Sequence, residues 1–268
     1  MDILEEIQKQ FVSFSLKEKN IATYLLQKGN EIKNINITEL AKITETSTST
    51  ITRFCKKINC ENFVDMKIKI SSIYQEESKI QGLNIFDNVY SFYDKVIKNT
   101  IKSMDREKIE AVVSLIKSAQ RIFVYGVGSS GLTAIEITQR LLRMGLNVTS
   151  ITDSHMMLIN SSVATKKDLV IGISTSGHTK EVVNALRMSK KNHGTIVSIT
   201  SLSNSAITQV SDISLTVYNS SFVDDQRFVN SQFAIVYLMD VISMMLLADE
   251  KLNYKMNRTI EVILKEKD

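Results

Sequence analysis

The chain has 268 residues, 43% hydrophobic and 23% charged, with a formal net charge of +4 and a sequence pI near 8.9. That is a globular composition with length enough for two domains, and no apolar run approaches the ~20 residues of a bilayer-spanning helix, so a membrane-spanning class is excluded. Met1–Glu6 lacks a basic stretch followed by an apolar one, which points to a cytoplasmic location, and Cys55 and Cys60 have too few Cys or His neighbours for a disulfide scaffold or a zinc site.

The basic balance permits nucleic-acid binding without singling it out: through Glu77, eleven Lys and Arg are matched by eleven Asp and Glu, so the excess lies beyond. Up to about Tyr74 the hydrophobic period is helical. Ser15, followed by Glu18 three residues later, is a capping box, with Ile21, Ala22, Leu25 and Leu26 on one face of the helix that follows. A second start is expected at Thr38-Glu39-Leu40-Ala41. After a short break Ser47 caps a third helix whose Ile51, Phe54, Cys55 and Ile58 fall at i, i+3, i+4 and i+7 and should face the core.

The opposite face of that third helix carries Ser47, Thr48, Thr50, Thr52, Arg53, Lys56 and Lys57, with short hydroxyls at its start and cations further along. This suits a helix in a DNA major groove, where short side chains reach base edges and Arg and Lys meet phosphate or guanine. Locally the charge agrees: between Ser47 and Ile70, Arg53, Lys56, Lys57, Lys67 and Lys69 outweigh Glu61 and Asp65. The bland alternative is a solvated three-helix surface. A polar linker is expected near residues 76–87, with helical spacing resuming from Asn88 to Lys117.

From Arg121 the period changes to short β-rich runs separated by amphipathic helices: Arg121–Tyr125, Asn147–Ile151, Asp168–Ile173, Thr195–Thr200 and Asp212–Val217. Five such strands predict an α/β, doubly wound parallel sheet. The first strand runs into Gly126-Val127-Gly128-Ser129-Ser130-Gly131 ahead of a helix, where glycines let backbone amides approach an anion. The spacing also fits a dinucleotide fingerprint, with Asp153 about twenty residues on, so an NAD site competes. A second loop, Ser174-Thr175-Ser176-Gly177-His178-Thr179-Lys180-Glu181, brings four hydroxyls and a glycine to the start of another helix. Two such loops suit one compact phosphate better than a dinucleotide.

Thr38-Glu39-Leu40-Ala41, Ser49 to Lys57, and Phe63-Val64-Asp65-Met66-Lys67 together resemble the helix-turn-helix domain of RpiR-family regulators. The two loops, with Asp153-Ser154-His155 and Ser198-Ile199-Thr200, resemble the SIS (sugar isomerase) domain over roughly Asp105 to Glu250. The resemblance implies a helix-turn-helix domain over 1–77, a linker and connecting helix over 78–104, a SIS domain with an αβα sandwich over 105–250 and a tail over 251–268. It further implies a transcription regulator that binds double-stranded operator DNA, responds to a phosphosugar and forms homodimers or homotetramers, with no cofactor.

By position, Ser130, Ser174, Ser176 and Thr179 match the phosphate-binding hydroxyls of SIS domains. Gly128, Ser129, Thr175 and Gly177 shape the same loops, as do Gly126 and Gly131. Asp153 and His155 either contact a sugar hydroxyl or cap the following helix. Isomerases of the SIS class need a general base, and residues 219–249 hold no Glu or His, leaving Glu136, His155, His178 and Glu181; sensing without turnover is therefore expected. The stretches Asn88–Met104 and Phe233–Leu247 are candidates for subunit contacts, unless Ile235, Leu238, Met239 and Ile242 pack on their own sheet.

Overall fold

The computed structural model describes residues 3–77, 85–218, 230 and 232–265. The chain divides into two compact units, the boundary falling between Lys95 and Val96. The first unit is helical: α1 (Ile3–Gln10), α2 (Leu16–Lys28), α3 (Ile37–Ile43), α4 (Thr48–Lys57), α5 (Phe63–Glu77) and the first part of α6 (Ile85–Ser103).

The capping box of α2 forms, with the Glu18 amide donating to Ser15 Oγ at 3.4 Å and the Ser15 amide to Glu18 Oε2 at 2.8 Å. Ile21, Ala22, Leu25 and Leu26 are buried, as are Ile51, Phe54, Cys55 and Ile58 of and beside α4. Phe54 packs its ring on Phe14 at 5.0 Å between centroids. One helix start differs from expectation: α3 is capped by Asn36, whose Oδ1 accepts from the Glu39 amide at 2.9 Å, so the helix already includes Ile37. Asn36 sits in the extended region that an N-cap requires, whereas Thr38 is already inside the first turn. Between α3 and α4 the chain reverses tightly, the Thr46 amide donating to Ala41 O at 2.8 Å while Glu45 takes φ +52.

The second unit holds the rest of α6, α7 (Arg106–Ser118) and a five-stranded parallel sheet: β1 (Arg121–Tyr125), β2 (Val148–Ile151), β3 (Asp168–Ile173), β4 (Thr195–Thr200) and β5 (Ile213–Thr216). The strand order is β2-β1-β3-β4-β5, with every neighbouring pair parallel. The helices between strands are α8 (Ser129–Arg143), α9 (Ser154–Ser162), α10 (Lys180–Lys191) and α11 (Ala206–Val210). Phe123, Tyr125, Val170 and Ile196 share one core cluster with Met157 of α9, Val182, Val183 and Leu186 of α10 and Ile207 of α11. The neighbouring residues Ile122, Val124 and Ile171 are buried too, so the sheet is covered on both faces, as its near-continuous apolar strands demand.

Two helices complete the unit, α12 (Phe233–Leu247) and α13 (Glu250–Lys265). Ile235, Leu238, Met239, Ile242 and Leu246 of α12 are buried within the unit, which favours intramolecular packing for this stretch over a role in subunit contact. Residues 251–265 are helical where a tail was expected; α13 is anchored by buried Leu252 and by contacts to α8 and α12.

One ion pair fixes the centre of the sheet. Arg121 and Asp168 are register partners at the starts of β1 and β3. Arg121 Nε and Nη2 donate to the two carboxylate oxygens at 2.7 and 2.6 Å, and the Thr165 amide and hydroxyl add bonds at 2.7 and 2.9 Å. Burial pushes the Asp168 carboxyl up, but Arg121 and Thr165 outweigh it, leaving it below the ordinary carboxylate value. Such a depressed group stabilises the fold above its unfolded pKa of 3.8 and loses that contribution as pH falls through the lower folded value. Asp168→Asn is expected to cost roughly 2–3 kcal/mol at pH 7, because Arg121 loses its charged partner while keeping part of its surface in water. Urea unfolding at pH 7 and again at pH 3 checks this: the gap between wild type and variant should narrow in acid, and a gap independent of pH would contradict the assignment.

Candidate functional site

Strands β1 and β3 are adjacent, yet the connection after β1 leads to β2 on one side and the connection after β3 leads to β4 on the other. Their carboxyl ends therefore flank the switch point of the sheet, where crossovers diverge and leave a crevice. Both hydroxyl-bearing loops leave the sheet here.

The first loop, 126–128, lies against the start of α8. A Cβ on Gly126 would stand 2.4 Å from Ser130 O, and one on Gly131 would stand 2.9 Å from Gly126 O, so neither position admits a side chain without backbone movement. Gly128 takes φ +59 as the N-cap of α8, with no side chain to satisfy the first amides of the helix and no acidic residue in its first turn. The Gly131 and Leu132 amides turn back to Gly128 O at 2.9 and 3.1 Å, which leaves those of Ser129 and Ser130 at the positive end of a 15-residue helix, a natural anion site. Ser129 is exposed, while Ser130 is only 8% exposed.

The second loop is held from below. The Ser174 amide donates to Ile199 O, the Ser201 amide and Thr200 Oγ1 to Thr175 O, and the Ile207 amide to Gly177 O. Gly177 takes φ +68, and a Cβ there would stand 2.1 Å from Ser205 Oγ. Ser174, 2% exposed, shares a 2.8 Å hydrogen bond with Thr179 Oγ1. Thr179 is the N-cap of α10 but makes no capping bond, so the first amides of this helix are also left unserved by a side chain. Ser176 is exposed and accepts from the His178 amide at 3.3 Å.

Gln232, the N-cap residue of α12, ties the loops together and escaped the sequence reading. Its Oε1 accepts from Ser130 Oγ at 3.4 Å and Thr133 Oγ1 at 3.3 Å, and its Nε2 donates to Thr175 Oγ1 at 3.2 Å. It is 6% exposed. The available signal was its place as the polar residue directly before the apolar run Phe233–Leu247.

Asp153 is the N-cap of α9, its Oδ1 accepting from the Met156 amide at 2.9 Å, which is the capping alternative of its two readings; His155 is exposed in the first turn of the same helix. Among the other candidate bases, Glu136 is paired with Arg140, which also reaches Asp240, while His178 and Glu181 are exposed.

A second surface lies on α4. Ser47 caps it, its Oγ accepting from the Thr50 amide at 3.2 Å, and Thr48, Thr52, Arg53 and Lys56 are exposed along one side together with Ser49. Thr50 departs from the expected outward face: it is 8% exposed and its hydroxyl bonds Ser47 Oγ at 2.9 Å. Lys57 is exposed as expected, but its Nζ is bound at 2.7 Å to the buried Glu18 carboxylate. Burial pushes Glu18 up, and Lys57 and Ser15 overcome this to hold it below its ordinary value. Periodicity put Thr50 one step from the core boundary, and the capping role of Ser47 drew it inward.

Comparison with known proteins places this architecture. Residues 1–77 match the model of the helix-turn-helix domain of the rpiR family, and residues 115–245 match that of the SIS domain. A protein of Haemophilus influenzae named an uncharacterized HTH-type transcriptional regulator is 27% identical, the match covering 99% of this chain and 98% of that one. The structure is similar to that of the Vibrio vulnificus NanR protein complexed with ManNAc-6P (TM-score 0.63, 24% identity, 98% of each chain). It is also similar to the sugar isomerase domain of an RpiR transcription factor from Sphaerobacter thermophilus (TM-score 0.60, 18% identity, 67% of this chain and 99% of that one).

The glycine contacts give a direct test of the first loop. Gly126→Ala is expected to cost about 2–3 kcal/mol, the upper end of overpacking, because the clash is with backbone. Gly128→Ala meets open space but would place a Cβ residue at φ +59, ψ −130, a conformation all but reserved for glycine, at a cost on the order of 1–3 kcal/mol. Chemical unfolding of both variants checks this; a negligible cost for Gly126→Ala would mean the loop yields freely.

Proposed function

The chain belongs to the rpiR family of helix-turn-helix transcription regulators carrying a SIS domain, and from that premise we propose that a phosphorylated sugar binds at the two loops and changes the affinity of α4 for operator DNA. The observation that carries this reading is the pairing of two hydroxyl-lined loops, each opening onto a helix start without a side-chain cap, at one switch point. A phosphate accepts hydrogen bonds only, and Ser130, Ser174, Ser176 and Thr179, with the first amides of α8 and α10, supply donors from both sides. Gly128, Ser129, Thr175 and Gly177 contribute backbone.

Binding without turnover is our reading of the candidate bases: Glu136 is committed to Arg140, while His155, His178 and Glu181 stand exposed, and Asp153 is engaged in its cap. That engagement of Asp153 also speaks against a dinucleotide, whose ribose would need the carboxylate. No cofactor is needed. On α4, Thr48, Ser49, Thr52, Arg53 and Lys56 form the DNA-facing set, Ser47 sets the helix start, and Lys57 acts through Glu18 as a structural tie. We place the protein in the cytoplasm as a homodimer or homotetramer on a pseudo-palindromic site. Exposed apolar side chains, Leu132, Ile135 and Leu142 on α8, Met156 and Ile159 on α9 and Val163 just past its end, support self-association. Coupling of about 1–3 kcal/mol between ligand and DNA is sufficient for such a regulator.

Thermal unfolding against phosphosugars, their unphosphorylated counterparts and NAD tests the sensor site, with N-acetylmannosamine 6-phosphate the first probe. A ligand at 100 times its dissociation constant adds about 2.7 kcal/mol, which Ser174→Ala and Ser176→Ala should largely remove. Stabilisation by NAD alone would refute the reading. For DNA, Arg53→Ala should weaken operator retention roughly tenfold or more at unchanged melting temperature, whereas Lys57→Ala should lower the melting temperature itself.

A further inference from the structure

Ser130, Thr133 and Thr175 come from both walls of the crevice, and one buried carboxamide engages all three. Gln232 Oε1 is an acceptor, as a phosphate oxygen is, and it takes the single proton of the Ser130 hydroxyl. An anion seated on the first loop draws on that same proton. Thr133 has an alternative acceptor in Ser129 O at 3.1 Å, so it is not stranded when the Gln232 bond breaks. Thr175 accepts from Gln232 Nε2 and keeps its own proton for another partner. The network is thus arranged for exchange at Ser130 and retention elsewhere.

Resting on the phosphosugar reading of this site, we propose that Gln232 is its occupancy-reporting residue: the carboxamide competes with the ligand phosphate for the Ser130 hydroxyl, and binding shifts Gln232 and with it the first turn of α12. Gln232 has no charge, is 6% exposed and forms no side-chain cap on its own helix, and three of its side-chain hydrogen bonds reach the crevice. The position also sets specificity. A carboxylate there would keep the acceptor for Ser130 and Thr133 but place a negative charge against the anion.

The test uses the full-length protein and inorganic phosphate as probe, with affinity from calorimetry and the Gln232 side-chain amide followed by NMR, its resonance pair identified by its absence from Gln232→Leu. Gln232→Leu should bind phosphate at least as tightly as wild type, up to about fivefold tighter, the equivalent of one neutral hydrogen bond no longer competing. Gln232→Glu should bind at least tenfold more weakly with a melting temperature near that of wild type. In the wild type the Gln232 amide pair should move in proportion to saturation. If both variants weaken binding alike, Gln232 is a brace and the competition is overturned; an amide pair that stays in place at saturation overturns it independently. Wild type that binds no phosphate refutes the site reading as well. Binding that Ser176→Ala weakens, but neither Gln232 variant changes, refutes the role of Gln232 alone.

Discussion

The register of β1 against β3 is the constraint on which the site depends. Arg121 faces Asp168 across the two strand starts, and the pairing then runs residue by residue to Tyr125 opposite Gly172. The first loop therefore begins at Gly126 one step beyond the pair, and the second at Ser174 one step beyond Ile173. A slip of one residue would turn Phe123 and Tyr125 to the other face of the sheet and pull the loops apart along the strand axis. A bidentate Arg–carboxylate pair is well suited to forbid this, because its geometry tolerates little sliding and because an unpaired Asp168 in a buried position is costly. The site at one end of the strands is held in alignment by a charge pair at the other.

Helix capping divides the molecule between structure and site. Ser15, Asn36, Ser47, Asp105 and Asp153 each cap a helix with a side chain, closing the starts of α2, α3, α4, α7 and α9. At α8, α10 and α12 the N-cap residues Gly128, Thr179 and Gln232 make no such bond. The Thr179 hydroxyl and the Gln232 carboxamide are turned instead to Ser174, Ser130 and Thr175. An uncapped start forgoes about 1 kcal/mol of local stability. Here it leaves positive helix ends facing the loops that carry the hydroxyls, so a local loss in three helices becomes a shared capacity to hold an anion.

Much of this was legible in the residues because the signals are short-range. The capping box at Ser15, the apolar spacing of Ile51, Phe54, Cys55 and Ile58, the glycines of the first loop and the five β-rich runs each reflect physics acting over a few residues. What stayed illegible depends on distant partners. Thr50 looked outward until Ser47 and the core drew it in, and Lys57 looked like a free cation because Glu18, nearly forty residues earlier, carries no mark of its partner. Gln232 lies 102 residues from Ser130 and 57 from Thr175, and its place before an apolar run names neither partner. The helix over 250–265 differs: Leu252, Met256, Ile260 and Ile263 fall at i, i+4, i+8 and i+11, a stripe that was legible and that the expectation of a tail passed over.

The choice of hydroxyls over cations for the site has an energetic consequence. Ser174 and Thr179 bond each other, and Ser130 bonds Gln232, so these buried groups are satisfied among themselves. Lysines or arginines at the same depth would bring charges whose desolvation must be offset by an anion or by built-in carboxylates. With hydroxyls and one carboxamide, an incoming phosphate replaces weak neutral bonds by charge-assisted ones, and the difference per bond is on the order of 1 kcal/mol. Binding energy is then the sum of several small exchanges, each tied to the position of a particular helix start. On the phosphosugar reading proposed above, such a site would convert occupancy into small shifts of α8, α10 and α12 and keep the total within the few kcal/mol over which a two-state regulator responds to changing ligand concentration.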